Sequence, residues 1–106
     1  MKLFKCIYVD GSGKEYDGGI WERKETPKTI VFKQIKESFF NPKESFFNPN
    51  WNFLKIYKDK TKRNKHVIKE WSDGTYTIYP EQCGTPHLFT PITKSEFLNY
   101  KEFKHD

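Results

Sequence analysis

Apolar and polar positions are most clearly patterned between His66 and Tyr79, His-Val-Ile-Lys-Glu-Trp-Ser-Asp-Gly-Thr-Tyr-Thr-Ile-Tyr. Two β-rich runs flank Ser72-Asp73-Gly74, and a short polar break ending in glycine between such runs signals a hairpin. A three-residue loop with Gly74 in the left-handed region pairs Trp71 with Thr75, Glu70 with Tyr76 and Lys69 with Thr77. It also pairs Ile68 with Ile78 and Val67 with Tyr79. One face then carries Ile68, Tyr76 and Ile78, a core side. The other carries Val67, Lys69, Trp71, Thr77 and Tyr79. A two-residue Asp73-Gly74 loop would instead set Trp71 opposite Tyr76 and Ile68 opposite Tyr79. A one-residue slip inverts the faces, and isoleucine against isoleucine favours the first register.

The other runs can be laid against this hairpin. Leu3 to Val9 is apolar on both alternating sets, which predicts a central strand buried on two sides. Gly19 to Lys24 reads as a short strand ended by Glu25-Thr26-Pro27. Thr29 to Ile35 is β-branched and aromatic, a third strand. Trp51 to Tyr57 alternates, with Leu54 and Ile56 on one side and Trp51, Phe53, Lys55 and Tyr57 on the other. After a polar loop, Lys58 to Lys65, it is expected to join His66–Trp71 and Thr75–Tyr79 in a three-stranded antiparallel meander. His87 to Phe89, just before Pro91, reads as an edge strand. Thr93 and Glu96 fit a capping box ahead of Phe97, Leu98, Tyr100 and Phe103, so a short C-terminal helix should lie over a face or open end of the sheet. The expected fold is mainly β: a small bent antiparallel sheet or barrel of five to seven strands with that helix, in one small globular domain over residues 1–106.

Composition sharpens this picture. Hydrophobic residues make up 35% of the 106 and aromatic residues 18%, so the core must be built from few, large side chains. Alanine is absent, which argues against a helix-dominated protein. Of the 19 positive residues only Arg23 and Arg63 are arginine. Both traits match the codon bias of an AT-rich genome and warn against reading every lysine as selected. No apolar run reaches membrane-spanning length, and the first residues lack the apolar core of a signal peptide. A soluble cytoplasmic protein with Cys6 and Cys83 reduced is expected.

One segment repeats. Lys36-Glu-Ser-Phe-Phe-Asn-Pro42 is followed at once by an identical copy, residues 43–49. The period suggests a coiled coil, but Pro42 and Pro49 forbid a continuous helix. The plainer reading is a duplicated surface loop at 36–49, where added length costs little closure entropy. The alternative is a doubled partner patch of Phe39, Phe40, Phe46 and Phe47. Removing residues 43–49 is expected to leave a cooperative thermal transition; its collapse would show that both copies are structural.

Charge gives the strongest functional signal. Between residues 55 and 69, Lys55, Lys58, Lys60, Lys62, Arg63, Lys65 and Lys69 face Asp59 alone. That stretch is more positive than the whole chain, whose net charge is +5. A local cluster suits phosphate binding, because each neutralised phosphate releases counterions. Trp51, Phe53 and Tyr57 precede the run, and Trp71 and Tyr79 follow it. Rings sharing a face with lysines could stack bases while ammonium groups hold the backbone. The opposing reading is a solvated lysine tip beside core aromatics. Lysine lacks the bidentate geometry of arginine, so no base-specific readout is suggested.

Two partner classes therefore stand open. One is nucleic acid or a ribonucleoprotein, contacted through residues 55–69, Trp71 and Tyr79. The other is a larger intracellular machine that the chain blocks or adapts, as phage-type inhibitors of host defence do, anti-CRISPR proteins among them; that comparison rests on size and simplicity alone. Enzyme signals are thin. Cys83 and His87 lie four apart, but a thiolate needs a base and an orienting third group. As metal ligands they would need two more from the scattered His66, His105 or Cys6. Asp10, Asp17, Glu22 and Glu25 are acidic neighbours without a defined carboxylate pair. Asp10-Gly11-Ser12-Gly13 resembles a calcium or phosphate loop only superficially: Lys14 stands where calcium needs oxygen, and no Gly-Lys-Ser/Thr ending follows. A non-enzymatic binding protein without metal or cofactor is expected.

Overall fold

The computed structural model describes residues 2–37, 53–80 and 86–101. They form strands β1 (Lys2–Val9), β2 (Glu15–Glu25), β3 (Thr29–Lys36), β4 (Phe53–Tyr57), β5 (His66–Glu70), β6 (Tyr76–Pro80) and β7 (His87–Pro91), then helix α1 (Lys94–Asn99). The strands make one antiparallel sheet in the order β4-β3-β2-β1-β7-β6-β5, curled into a nearly closed barrel. Ring contacts explain the curl. Phe32 of β3 lies 5.3 Å from Tyr76 of β6 and 5.1 Å from Phe89 of β7, centroid to centroid. These strands are not neighbours, so the rings meet across the interior. Such pairs add about 0.5–1.5 kcal/mol beyond the area they bury. Phe4, Cys6, Tyr8, Trp21, Leu54, Ile56 and Ile78 complete the core.

The hairpin β5–β6 has the predicted register, with Ile68 opposite Ile78 and Val67 opposite Tyr79. Gly74 sits at φ +88°, its N–H bonded to the Trp71 carbonyl at 3.0 Å, while Trp71 N–H donates to Thr75 O at 2.8 Å. The second sharp feature is a bulge in β2. Lys5 pairs with Ile20 and Ile7 with Asp17, so Gly18 and Gly19 together oppose Cys6. The Gly18 carbonyl accepts from the Trp21 indole N–H at 2.8 Å and from the Gln34 amide at 3.0 Å. A β-carbon on Gly18 would come within 2.8 Å of the Cys6 sulfur.

Several expectations need correction. β4 pairs with β3, not β5, and the two occupy opposite edges of the sheet, so the proposed meander does not exist. Antiparallel pairing with β3 lets Phe32 and Leu54 share the core, which a β4–β5 pair would not. β7 is internal, between β1 and β6. Its Pro91 stands at the strand end opposite Phe4, where a missing N–H is tolerated. β1 is central, but only Phe4, Cys6 and Tyr8 are buried; Leu3, Ile7 and Val9 are half-buried on an outer face. β2 is longer than read, because the bulge carries pairing past the two glycines. The capping box is present, with Thr93 and Glu96 exchanging bonds of 3.1 Å. No residue of α1 is buried, however. Polar contacts tether this segment instead: the Lys36 ammonium reaches the Phe97 and Tyr100 carbonyls, and the Tyr100 hydroxyl donates to Asp17 at 2.8 Å. Among the described residues, no helix is long and apolar enough to cross a membrane.

Candidate functional site

Six antiparallel pairings separate β4 from β5, so these two edge strands run in the same direction. An antiparallel ladder cannot join them, and the barrel keeps a seam. Residues 58–65 connect the two edges. The Asn64 side chain takes the place of a strand there: its oxygen accepts from Tyr57 N–H at 2.7 Å and its amide donates to Tyr57 O at 3.0 Å. Asp59 builds the turn. It accepts from Thr61 N–H at 2.9 Å and from the Thr61 hydroxyl at 2.7 Å, which holds its carboxyl below the usual range. The one acid of the basic run is thus occupied within its own loop.

The structure places Lys55, Lys58, Lys60, Lys62, Arg63, Lys65 and Lys69 on the surface, all exposed. The Lys58 ammonium pairs with Glu25 at 2.6 Å, and this bond keeps the Glu25 carboxyl acidic. Trp71 is 45% exposed and Tyr79 39% exposed, so neither ring belongs to the core. The Trp71 indole donates to Thr77 Oγ1 at 2.8 Å, and the Lys69 ammonium lies 4.0 Å from its ring centroid. On the other side of the seam Phe53 is 45% exposed. Tyr57 carries Lys55 at 5.2 Å and Lys62 at 5.0 Å over its ring.

The aromatic residues therefore form two groups rather than one face. Lys69, Trp71 and Tyr79 stand on β5–β6, whereas Phe53, Lys55 and Tyr57 stand on β4, and the lysine loop lies between. Phe39, Phe40, Phe46, Phe47 and Trp51 lie outside the described residues, as does most of the duplicated loop.

Among the described residues the enzyme candidates do not form one cluster. Cys83 and His105 lie outside the described residues. Among the described residues, no three of His, Cys, Asp and Glu are grouped to hold a metal ion. Asp10 accepts from Ser12 and Lys14 backbone N–H groups, an ordinary turn. Asp17 binds Gly19 and Tyr100, Glu22 binds Lys24, and Glu25 binds Lys58, so each acid has its own partner. His87 is buried, its ring edge-on to Tyr8 at 5.0 Å. Burial first, and the nearby His66 second, push its pKa down to about 4.

That shift sets a pH dependence. The unfolded imidazole takes up its proton near pH 6.5, while the native one stays neutral to about pH 4. The contribution of His87 to stability should therefore be fully present above pH 6.5 and be lost as pH drops from 6.5 to 4, by about 3 kcal/mol. His87→Phe, which keeps the edge-on contact, should flatten that limb of a denaturation-versus-pH curve. An unchanged limb would refute the assignment.

Sequence reasoning missed Pro27 and Lys28. A shallow hollow is lined by these two with Tyr57, Lys58, Asp59 and Lys62. Lys58 N–H donates to Lys28 O at 2.9 Å, fastening the β2–β3 turn to the lysine loop. No local signal could have joined them, because the link runs through the β3–β4 pairing. No known family matches this sequence, and neither a curated protein nor a solved structure matches it.

Proposed function

We propose that the protein binds single-stranded nucleic acid, free or within a ribonucleoprotein, along the lysine loop and its flanking rings. The observation that carries this reading is the outward pairing of ring with ammonium on both sides of the loop: Lys69 on Trp71, and Lys55 and Lys62 on Tyr57. Bases can stack on such rings only when unpaired, so a single strand fits better than a duplex. Lysine supplies charge without a code, so binding should tolerate many sequences. The reading assigns no catalytic step. A labelled oligothymidylate titrated over a salt series tests it: affinity should fall steeply with salt, as released counterions require. Undetectable or salt-indifferent binding would refute it.

A second reading keeps a protein as partner. Val67 is 67% exposed, and beside it strand pairing sets Lys69, the buried Thr77 and the half-buried Leu88 and Ile7 in one row of the outer sheet. A partly apolar outer face of this kind suits a protein that blocks or adapts a larger assembly, the inhibitor role. Capture of a protein that resists both salt and nuclease would favour it.

A further inference from the structure

We infer that the hollow between the β2–β3 turn and the lysine loop is a nucleotide subsite, with Tyr57 stacking one base and Lys28 and Lys62 holding its phosphate. This rests on the nucleic-acid reading and adds to it a location and a residue outside the basic run. The argument begins with the frame. The Thr26 hydroxyl accepts from Thr29 N–H at 2.9 Å, fixing the turn that carries Pro27 and Lys28. The bond from Lys58 to Lys28 ties that turn to the opposite wall, and the Asn64 amide clamps the Tyr57 backbone. The concavity is therefore built from pinned backbone.

The charges within it are unequal in availability. Lys58 is held by Glu25, and Asp59 by Thr61. Lys28 is exposed at the rim, and Lys62 lies over the Tyr57 ring. An ammonium on a four-carbon stem can leave the ring for a phosphate while a base takes over the π face. A base on Tyr57 and a phosphate between Lys28 and Lys62 describe one nucleotide unit of a chain.

The test titrates wild type, Lys28→Gln and Tyr57→Leu with labelled oligothymidylate over a salt series, with Tyr57→Phe as the variant that keeps the ring. Lys28→Gln should lower the salt slope by about 0.7, the value of one single-strand phosphate contact. Tyr57→Leu should weaken binding by about tenfold, a modest value for one lost base stack, and Tyr57→Phe should not. Thymidine monophosphate should compete with the oligonucleotide better than thymidine. Wild-type affinity and slope in both variants, with charge reversal of the loop still abolishing binding, would overturn the subsite and leave the broader reading intact. No oligonucleotide binding by the wild type would overturn both.

Discussion

A chain carrying Lys60→Glu, Lys62→Glu and Arg63→Glu together should fold normally and lose oligonucleotide binding. All three side chains are exposed, and the turn they decorate is held by Asp59, Thr61 and Asn64. The cost to folding is small: removing the Lys62 ammonium from the Tyr57 ring gives up about 0.5–1 kcal/mol. The cost to binding is large. If each side chain meets one phosphate, the salt slope loses about 2, and three new negative charges repel the backbone besides. Polarisation of a labelled strand reads the loss, and a thermal melt confirms the fold. Binding that survives the triple reversal would place the nucleic acid elsewhere on this protein.

Gly19→Ala should be the most damaging alanine substitution among the described glycines. Gly19 sits at φ +82°, where a side chain is strained by about 1–3 kcal/mol. Its new methyl would also press into the Lys36 carbonyl, which is backbone and cannot swing aside. Lys36 pairs with Ile20 at the bulge, so any retreat disturbs the β2–β3 ladder. A loss of about 3 kcal/mol or more is expected, a large share of the 5–15 kcal/mol of a typical domain. At roughly 4–8 °C per kcal/mol the melting temperature should drop by well over 10 °C. Gly11→Ala is the matched control, since nothing lies within 4 Å of its added carbon, and it should be close to neutral. Equal melting temperatures for the two variants would contradict the bulge account.

The two cases show what could be read from the residues alone. The β5–β6 hairpin was legible because its information is local: Asp73-Gly74 sets the turn, and only one register brings Ile68 to Ile78. The helix cap was legible for the same reason. The two exposed rings followed from that register, since Trp71 and Tyr79 fall on the face opposite Tyr76 and Ile78. Strand order was not legible. β4 chooses the strand before it, across the duplicated segment, and nothing near Phe53–Tyr57 states that preference. Pro91 suggested an edge for β7, yet a proline at a strand end leaves the rest of the ladder free to pair on both sides. The Gly18-Gly19 bulge was hidden because a strand read from Gly19 carries no sign that two glycines share Cys6 as their partner. The hollow shared by Lys28 and Tyr57 exists only once β3 and β4 are paired.

Amide and indole chemical-shift changes on titration with oligothymidylate test the central claim most directly. The account predicts that the largest shifts fall on Lys28, residues 55–65, Lys69 and the Trp71 indole N–H, and shrink together as salt rises. Shifts confined to other surfaces, or none at low salt, would contradict it.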